Sequence, residues 1–115
     1  MSMNIFDEYT KEHDEWYERN KFAYLSELEA LKQAVPKDTK GLEIGVGTGR
    51  FAQALRISVG IDPSENMLQI ARKRGIKTFV GKGENLPFDD NEFDFDLPPK
   101  KWTLGRDGSI IGQRA

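Results

Sequence analysis

Three features of this 115-residue sequence could do chemistry. The first is a glycine-rich turn, Gly45-Val46-Gly47-Thr48-Gly49, with Glu43 just before it. Glycine admits positive φ and close backbone approach, so glycines at alternate positions let a chain fold tightly beneath a ligand. The start of a following helix would offer free N–H groups to a carboxylate or phosphate. The second is Asp62, 17 residues beyond Gly45. An acid at the end of a strand can accept hydrogen bonds from both hydroxyls of a ribose. The third is the segment Gly81–Glu84, at the start of a polar loop. Other chemistries lack their residues. Without cysteine there is no disulfide and no thiolate metal site. The single His13 builds neither a histidine pair nor a histidine metal cluster, so no metal is expected.

The glycine spacing also separates nucleotide-binding classes. The dinucleotide fingerprint G-x-G-x-x-G would place its third glycine at position 50, which is Arg50. A P-loop needs G-x-x-x-x-G-K-[ST], and the sequence does not supply it. Glu43 falls inside a short apolar run, where a charge is costly without a partner. That partner is either a ligand ammonium, directly or through water, or a nearby lysine or backbone N–H groups.

The elements that position these residues follow from hydrophobic spacing. Phe6, Tyr9, His13, Trp16 and Tyr17 recur in steps of three and four, which predicts an amphipathic helix. Its rings would pack on the core; a second, compatible reading is a lid whose rings also line a ligand pocket. Phe22, Leu25, Leu28, Leu31 and Val35 form the stripe of a second helix from about Lys21 to Val35, stopped by Pro36. Residues 42–46 read as a buried strand, and Phe51, Ala52 and Leu55 begin a short helix. A second strand over 57–61 ends at Asp62. Ser64 as N-cap and Glu65 at the positive dipole end open the next helix. Met67, Leu68 and Ala71 should face inward, and Gly75 should end that helix. Arg72-Lys73-Arg74 then reads as a solvated helix end. Residues 76–80 predict a third strand, 81–92 a loop, and Phe93-Asp94-Phe95 the start of a fourth strand.

Strands alternating with helices imply right-handed crossovers and a parallel sheet, an α/β fold. Ligands of such sheets bind at the carboxyl ends of the strands. The 45–49 turn, Asp62 and the 81–84 segment all fall at such ends. Formal net charge is −2, from 17 basic and 19 acidic residues, so nothing favours non-specific nucleic-acid binding. The opening residues lack the blocks of a signal peptide, and no apolar run reaches membrane-spanning length. A cytoplasmic location with no membrane span and no nucleic-acid partner is therefore expected.

Taken together, the motifs resemble those of the class I S-adenosylmethionine-dependent methyltransferases. Leu42-Glu43-Ile44-Gly45-Val46-Gly47-Thr48-Gly49-Arg50-Phe51 looks like the first motif of that family. Gly60-Ile61-Asp62-Pro63-Ser64-Glu65-Asn66-Met67-Leu68 is similar to its second element, an acid followed by a helix start. Gly83-Glu84-Asn85-Leu86-Pro87-Phe88, then Phe93-Asp94-Phe95, resembles the subgroup similar to ubiquinone/menaquinone-biosynthesis methyltransferases. The resemblance covers about residues 6–95. It implies S-adenosyl-L-methionine as cofactor and a small-molecule methyl acceptor. It also implies that Glu43 and the backbone of Gly45, Gly47 and Gly49 hold the methionine part, that Asp62 binds the ribose, that Met67 lies near the adenine, and that Gly83 and Glu84 border the adenine edge. Lys82 departs from the family, which often has Asp there to accept from the adenine amino group. Lysine has no acceptor, so either the backbone does this or adenine binds less tightly. No catalytic residue is assigned, because methyl transfer can run on positioning alone.

Beyond Asp94 the family pattern stops. Pro98 and Pro99 end any strand, and residues 102–112 look like a β-hairpin turning at 105–108. The expected architecture is a Rossmann-like parallel sheet truncated after its fourth strand, with two N-terminal helices and a C-terminal hairpin. Its parts are a helical lid region at 1–36, the S-adenosylmethionine-binding half at 37–97 and an atypical tail at 98–115. A fourth strand without a fifth leaves an open edge, which invites pairing with the tail or with another chain, including a homo-oligomer. The alternative is a free tail. Two functions follow from the resemblance: a methyltransferase, or a cofactor-binding module without turnover that is inactive or completed by a partner chain.

Overall fold

Apolar strands and amphipathic helices alternate along the chain, and they fold as that alternation requires. The computed structural model describes residues 5–84, 86–89, 91–104 and 110–114. Two helices lead, α1 (Ile5–Arg19) and α2 (Lys21–Ala34). Then come β1 (Gly41–Ile44), α3 (Arg50–Leu55), β2 (Val59–Asp62), α4 (Glu65–Lys73), β3 (Lys77–Val80) and β4 (Phe95–Leu97). The strands stand in the order β3-β2-β1-β4, all parallel. Leu42 pairs with Val59 on one side, and Glu43 with Leu97 on the other. The chain runs outward from β1 to β3, then crosses back past β1 to lay down β4. Such a reversal opens a crevice at the carboxyl ends of the strands. This is the expected Rossmann-like α/β sheet behind two helices.

A parallel sheet needs cover on both faces. On one face Leu97 and Val46 pack with Ala52, Ile57, Leu68, Ala71 and Ile76 from the helical side. On the other, Leu42, Val59 and Ile61 are covered by aromatic rings rather than helices. Phe79, Phe88 and Phe93 stack edge to face there, with centroids 5.0 Å apart at each step. The Lys40 and Asp94 backbones lock the start of β4 to that of β1. Asp94 N–H donates to Lys40 O, and Lys40 N–H donates to Asp94 Oδ2, both at 2.7 Å.

The local signals around α4 behave as read. Ser64 Oγ accepts from Met67 N–H at 3.3 Å. Met67, Leu68 and Ala71 are buried. Gly75 N–H donates to Arg72 O and Ile76 N–H to Ala71 O, with Gly75 at φ 87°, a left-handed stop.

Two expectations need correction. The inward face of α2 is not the stripe running through Phe22 and Leu25, which are 87% and 47% exposed. Tyr24 turns inward instead, with Leu28 and Leu31. Its ring packs edge to face on Tyr17 and Phe51, and its hydroxyl donates to Arg50 O at 3.0 Å. A tyrosine can be buried only with its hydroxyl satisfied, and this carbonyl satisfies it. Second, the tail does not extend the sheet within the chain. β5 (Lys100–Leu104) and β6 (Ile110–Arg114) pair antiparallel as a separate two-stranded sheet. Among the described residues β4 has only β1 as a strand neighbour. The 105–108 turn and the side chains of Phe6 and Tyr9 lie outside the described part. No helix among the described residues is long and apolar enough to cross a membrane.

Candidate functional site

The glycine turn is drawn over the end of β2. Gly45 and Val46 both donate their N–H groups to Ile61 O, at 2.8 and 3.0 Å. The turn then closes with Gly47 at φ 57° and Gly49 at φ 85°, the left-handed region that strains other residues. One residue before Ile61 in β2, Gly60 lies beneath Val46. A Cβ at position 60 would stand 2.6 Å from the Cβ of Val46, so the turn reaches its place only because β2 carries no side chain there.

Asp62 ends β2 and faces the turn. Its Oδ2 accepts from Gly47 N–H at 3.0 Å, and its Oδ1 accepts from Ser64 N–H at 2.9 Å. An ionised carboxylate has about four lone-pair sites. The backbone fixes its plane and leaves each oxygen capacity for one more donor. Met67 sits in the first turn of α4. A Cβ at Gly47 would lie 4.0 Å from Met67 Sδ and 3.9 Å from His13 Cε1. Gly47, Asp62, Met67 and His13 therefore meet at one place. α3 has only six residues, so its dipole adds little, and the donors of the site are the amides of the turn.

The remaining predicted residues have other neighbours. Glu43 is 2% exposed, and since Leu42 and Ile44 face the aromatic side, it points toward the helices. Burial raises the Tyr24 hydroxyl above its ordinary 10.0. Glu43's charge acts in the same direction, against Arg50 and Arg74. Gly83 lies against Ile44: a Cβ there would be 2.9 Å from Ile44 Cγ2. Glu84 is exposed and lines a cleft of about 530 Å³ beside β4, with Leu42, Phe88, Phe93 and Asp96. Lys82 is exposed.

The sequence did not point to a second cluster, which joins α1 to this turn. Asp14 Oδ1 accepts from Thr48 Oγ1 at 2.7 Å and from Arg50 Nε at 2.8 Å. Asp14 Oδ2 accepts from Arg74 Nη2 at 3.3 Å, and Arg74 Nη1 donates to Thr48 O at 2.7 Å. Burial alone would raise the Asp14 carboxyl. Hydrogen bonds from Arg50, Thr48 and Arg74 outweigh it and hold the pKa at about 2, below the ordinary 3.8. The basic end of α4 is therefore divided. Arg72 is exposed and pairs with Glu65 on its own helix, as a solvated end should. Arg74 instead turns in to the turn's backbone. No spacing rule connects positions 14, 48, 50 and 74, so only the fold brings them together.

Similarity to known proteins falls on the same stretch. A family model described as a methyltransferase domain matches residues 42–97. An uncharacterized protein of Methanocaldococcus jannaschii is 57% identical over 95 residues, covering 83% of this chain and 46% of that protein. A demethylmenaquinone methyltransferase of Staphylococcus aureus is 38% identical over 73 residues, covering 53% of this chain and 30% of that protein. A Thermotoga maritima SAM-dependent methyltransferase of known structure, described as a possible histamine N-methyltransferase, aligns with a TM-score of 0.75 and 52% identity. That alignment covers 81% of this chain and 44% of the other. The chain thus spans less than half the length of these relatives.

Proposed function

Over its first four strands the chain belongs to the class I S-adenosylmethionine-dependent methyltransferases, and on that premise we propose that it binds S-adenosylmethionine at the rim formed by the 45–49 turn, Asp62 and Met67, for transfer of the methyl group to a small-molecule acceptor. The observation that carries this is the Asp62 carboxylate, fixed by Gly47 and Ser64 amides with one acceptor site free on each oxygen. A ribose diol brings two hydroxyl donors, from which such a carboxylate can accept hydrogen bonds.

In this reading residues 37–97 are the cofactor half, the helices of 1–36 its lid, and 98–115 an atypical tail whose Pro99 lies against Gly45. Glu43 and the backbone of Gly45, Gly47 and Gly49 hold the methionine part. Asp62 holds the ribose, Met67 lies against the adenine, and Gly83 and Glu84 border its edge. Once bound, S-adenosylmethionine supplies an electrophilic methyl group. The chain's share is to bind, orient and exclude water, so that an acceptor lies in line with that methyl. A second reading starts from β4, which among the described residues has one strand neighbour: a cofactor-binding module whose acceptor side is completed by a partner chain.

Calorimetric titration with S-adenosylmethionine, S-adenosylhomocysteine and NAD tests the site. Binding of the first two without NAD supports it, and tight NAD binding alone sinks it. Transfer of labelled methyl to a panel of small amines and quinols separates the readings. Binding without any transfer favours the module.

A further inference from the structure

Thr48 is the residue between two glycines at the centre of the turn, and it is 2% exposed. It is held from two directions. Its hydroxyl donates to Asp14 on α1, and its carbonyl accepts from Arg74 at the end of α4. Asp14 is itself braced. Arg50, the first residue of α3, donates to it through Nε, and Arg50 Nη1 also donates to Glu18 Oε1 at 2.9 Å. The side chains of Asp14, Arg50 and Arg74 are 17–20% exposed, so water screens them little. The neighbours of Thr48 are glycines, whose backbones lose the most freedom on ordering. A pinned Thr48 between them removes that freedom before any ligand arrives, and preorganisation of this kind raises affinity. The amide next to Thr48 is that of Gly47, the donor to Asp62.

We propose that Asp14 is a positioning residue for the cofactor: through Thr48 it holds the 45–49 backbone and the Gly47 N–H in the geometry that receives S-adenosylmethionine. This rests on the reading of that turn as the cofactor site. Docking of α1 and cofactor affinity are then a single linked property. With α1 undocked, the turn keeps the Arg74 contact on the Thr48 carbonyl but loses the Asp14 contact on its hydroxyl.

The test is calorimetric titration of the full 115-residue chain with S-adenosylhomocysteine, beside thermal unfolding without ligand. Thr48→Val keeps the volume and removes the hydroxyl, and should weaken binding about tenfold or more. Thr48→Ser keeps the hydroxyl and should bind as the parent does. Asp14→Asn should weaken binding similarly, and the double variant Asp14→Asn with Thr48→Val should be no weaker than its weaker single, because both break one link. A merely structural role would lower the unfolding midpoint while leaving the affinity of the folded protein unchanged. That result, or two losses that simply add, overturns the proposal. Should Asp14→Asn fail to fold, the Val and Ser variants at position 48 decide it alone. A parent chain that binds no S-adenosylhomocysteine overturns the underlying reading instead, an outcome visible before any variant is made.

Discussion

The Asp62 carboxylate and the Gly47 amide meet at 3.0 Å, so the end of β2 grips the middle of the turn that leaves β1. One side chain thereby shapes the loop and presents its remaining lone pairs to a ligand. Asp62→Ala removes both functions. The loss of one charge-assisted contact should cost about 1.5–3 kcal/mol in S-adenosylhomocysteine binding. Asp62→Asn keeps a single acceptor oxygen and should fall between parent and alanine. Calorimetry decides, and equal affinity across the three would remove the ribose role from Asp62.

Gly60 makes the second demand on this turn. Gly60→Ala puts a Cβ 2.6 Å from the Cβ of Val46 and should destabilise the fold by about 1–3 kcal/mol. Trimming Val46 to Ala leaves that Cβ in place, so Val46→Ala should not restore the loss. Urea unfolding of the two singles and the double checks this, and a rescued double would show that the contact lies elsewhere.

The Asp14 cluster predicts a pH signature. A folded pKa of about 2 below an ordinary 3.8 means the native state binds this proton less readily than the unfolded chain. The resulting stability is fully present above about pH 4 and is lost as pH falls through the folded value. Between those limits the unfolding midpoint of the parent should fall more steeply than that of Asp14→Asn. Parallel slopes would mean the carboxylate is not held as described.

The face presented by α2 is open to direct test. Phe22→Ser alters an 87% exposed ring and should change stability by less than about 0.5 kcal/mol. Leu28→Ala opens the core beside Trp16, Tyr17 and Phe51 and should cost about 2–5 kcal/mol. Denaturant midpoints for the pair distinguish this arrangement from the stripe through Phe22 and Leu25.

What could be read from the sequence was set by nearby residues. Ser64 and Gly75 bound α4 because an N-cap and a left-handed stop are decided within a few positions. The glycine spacing, and an acid at the end of the next strand, sufficed to place Gly47 beside Asp62. The face of α2 was missed by one position, because the partner that draws Tyr24 inward is a carbonyl 26 residues away. For the same reason Arg74 could not be told from Arg72, since nothing local says which of them meets Thr48. The hairpin pattern is visible in residues 102–112, but whether it joins β4 or only itself depends on packing that no short window carries. The rings of Phe88 and Phe93 sat in a stretch read only as a loop and strand start, yet they roof one face of the sheet.

The partners of Asp14 also set an order of assembly. They lie 34, 36 and 60 residues along the chain from it. α1 is synthesised before all three, so its carboxylate can reach Thr48 and Arg50 first and lacks its full set of partners until Arg74 has been synthesised. A nascent chain halted before that point carries a first helix without its complete anchor. α1 is therefore anchored completely only when the last of these three partners exists, and closing so long a loop carries an entropic cost.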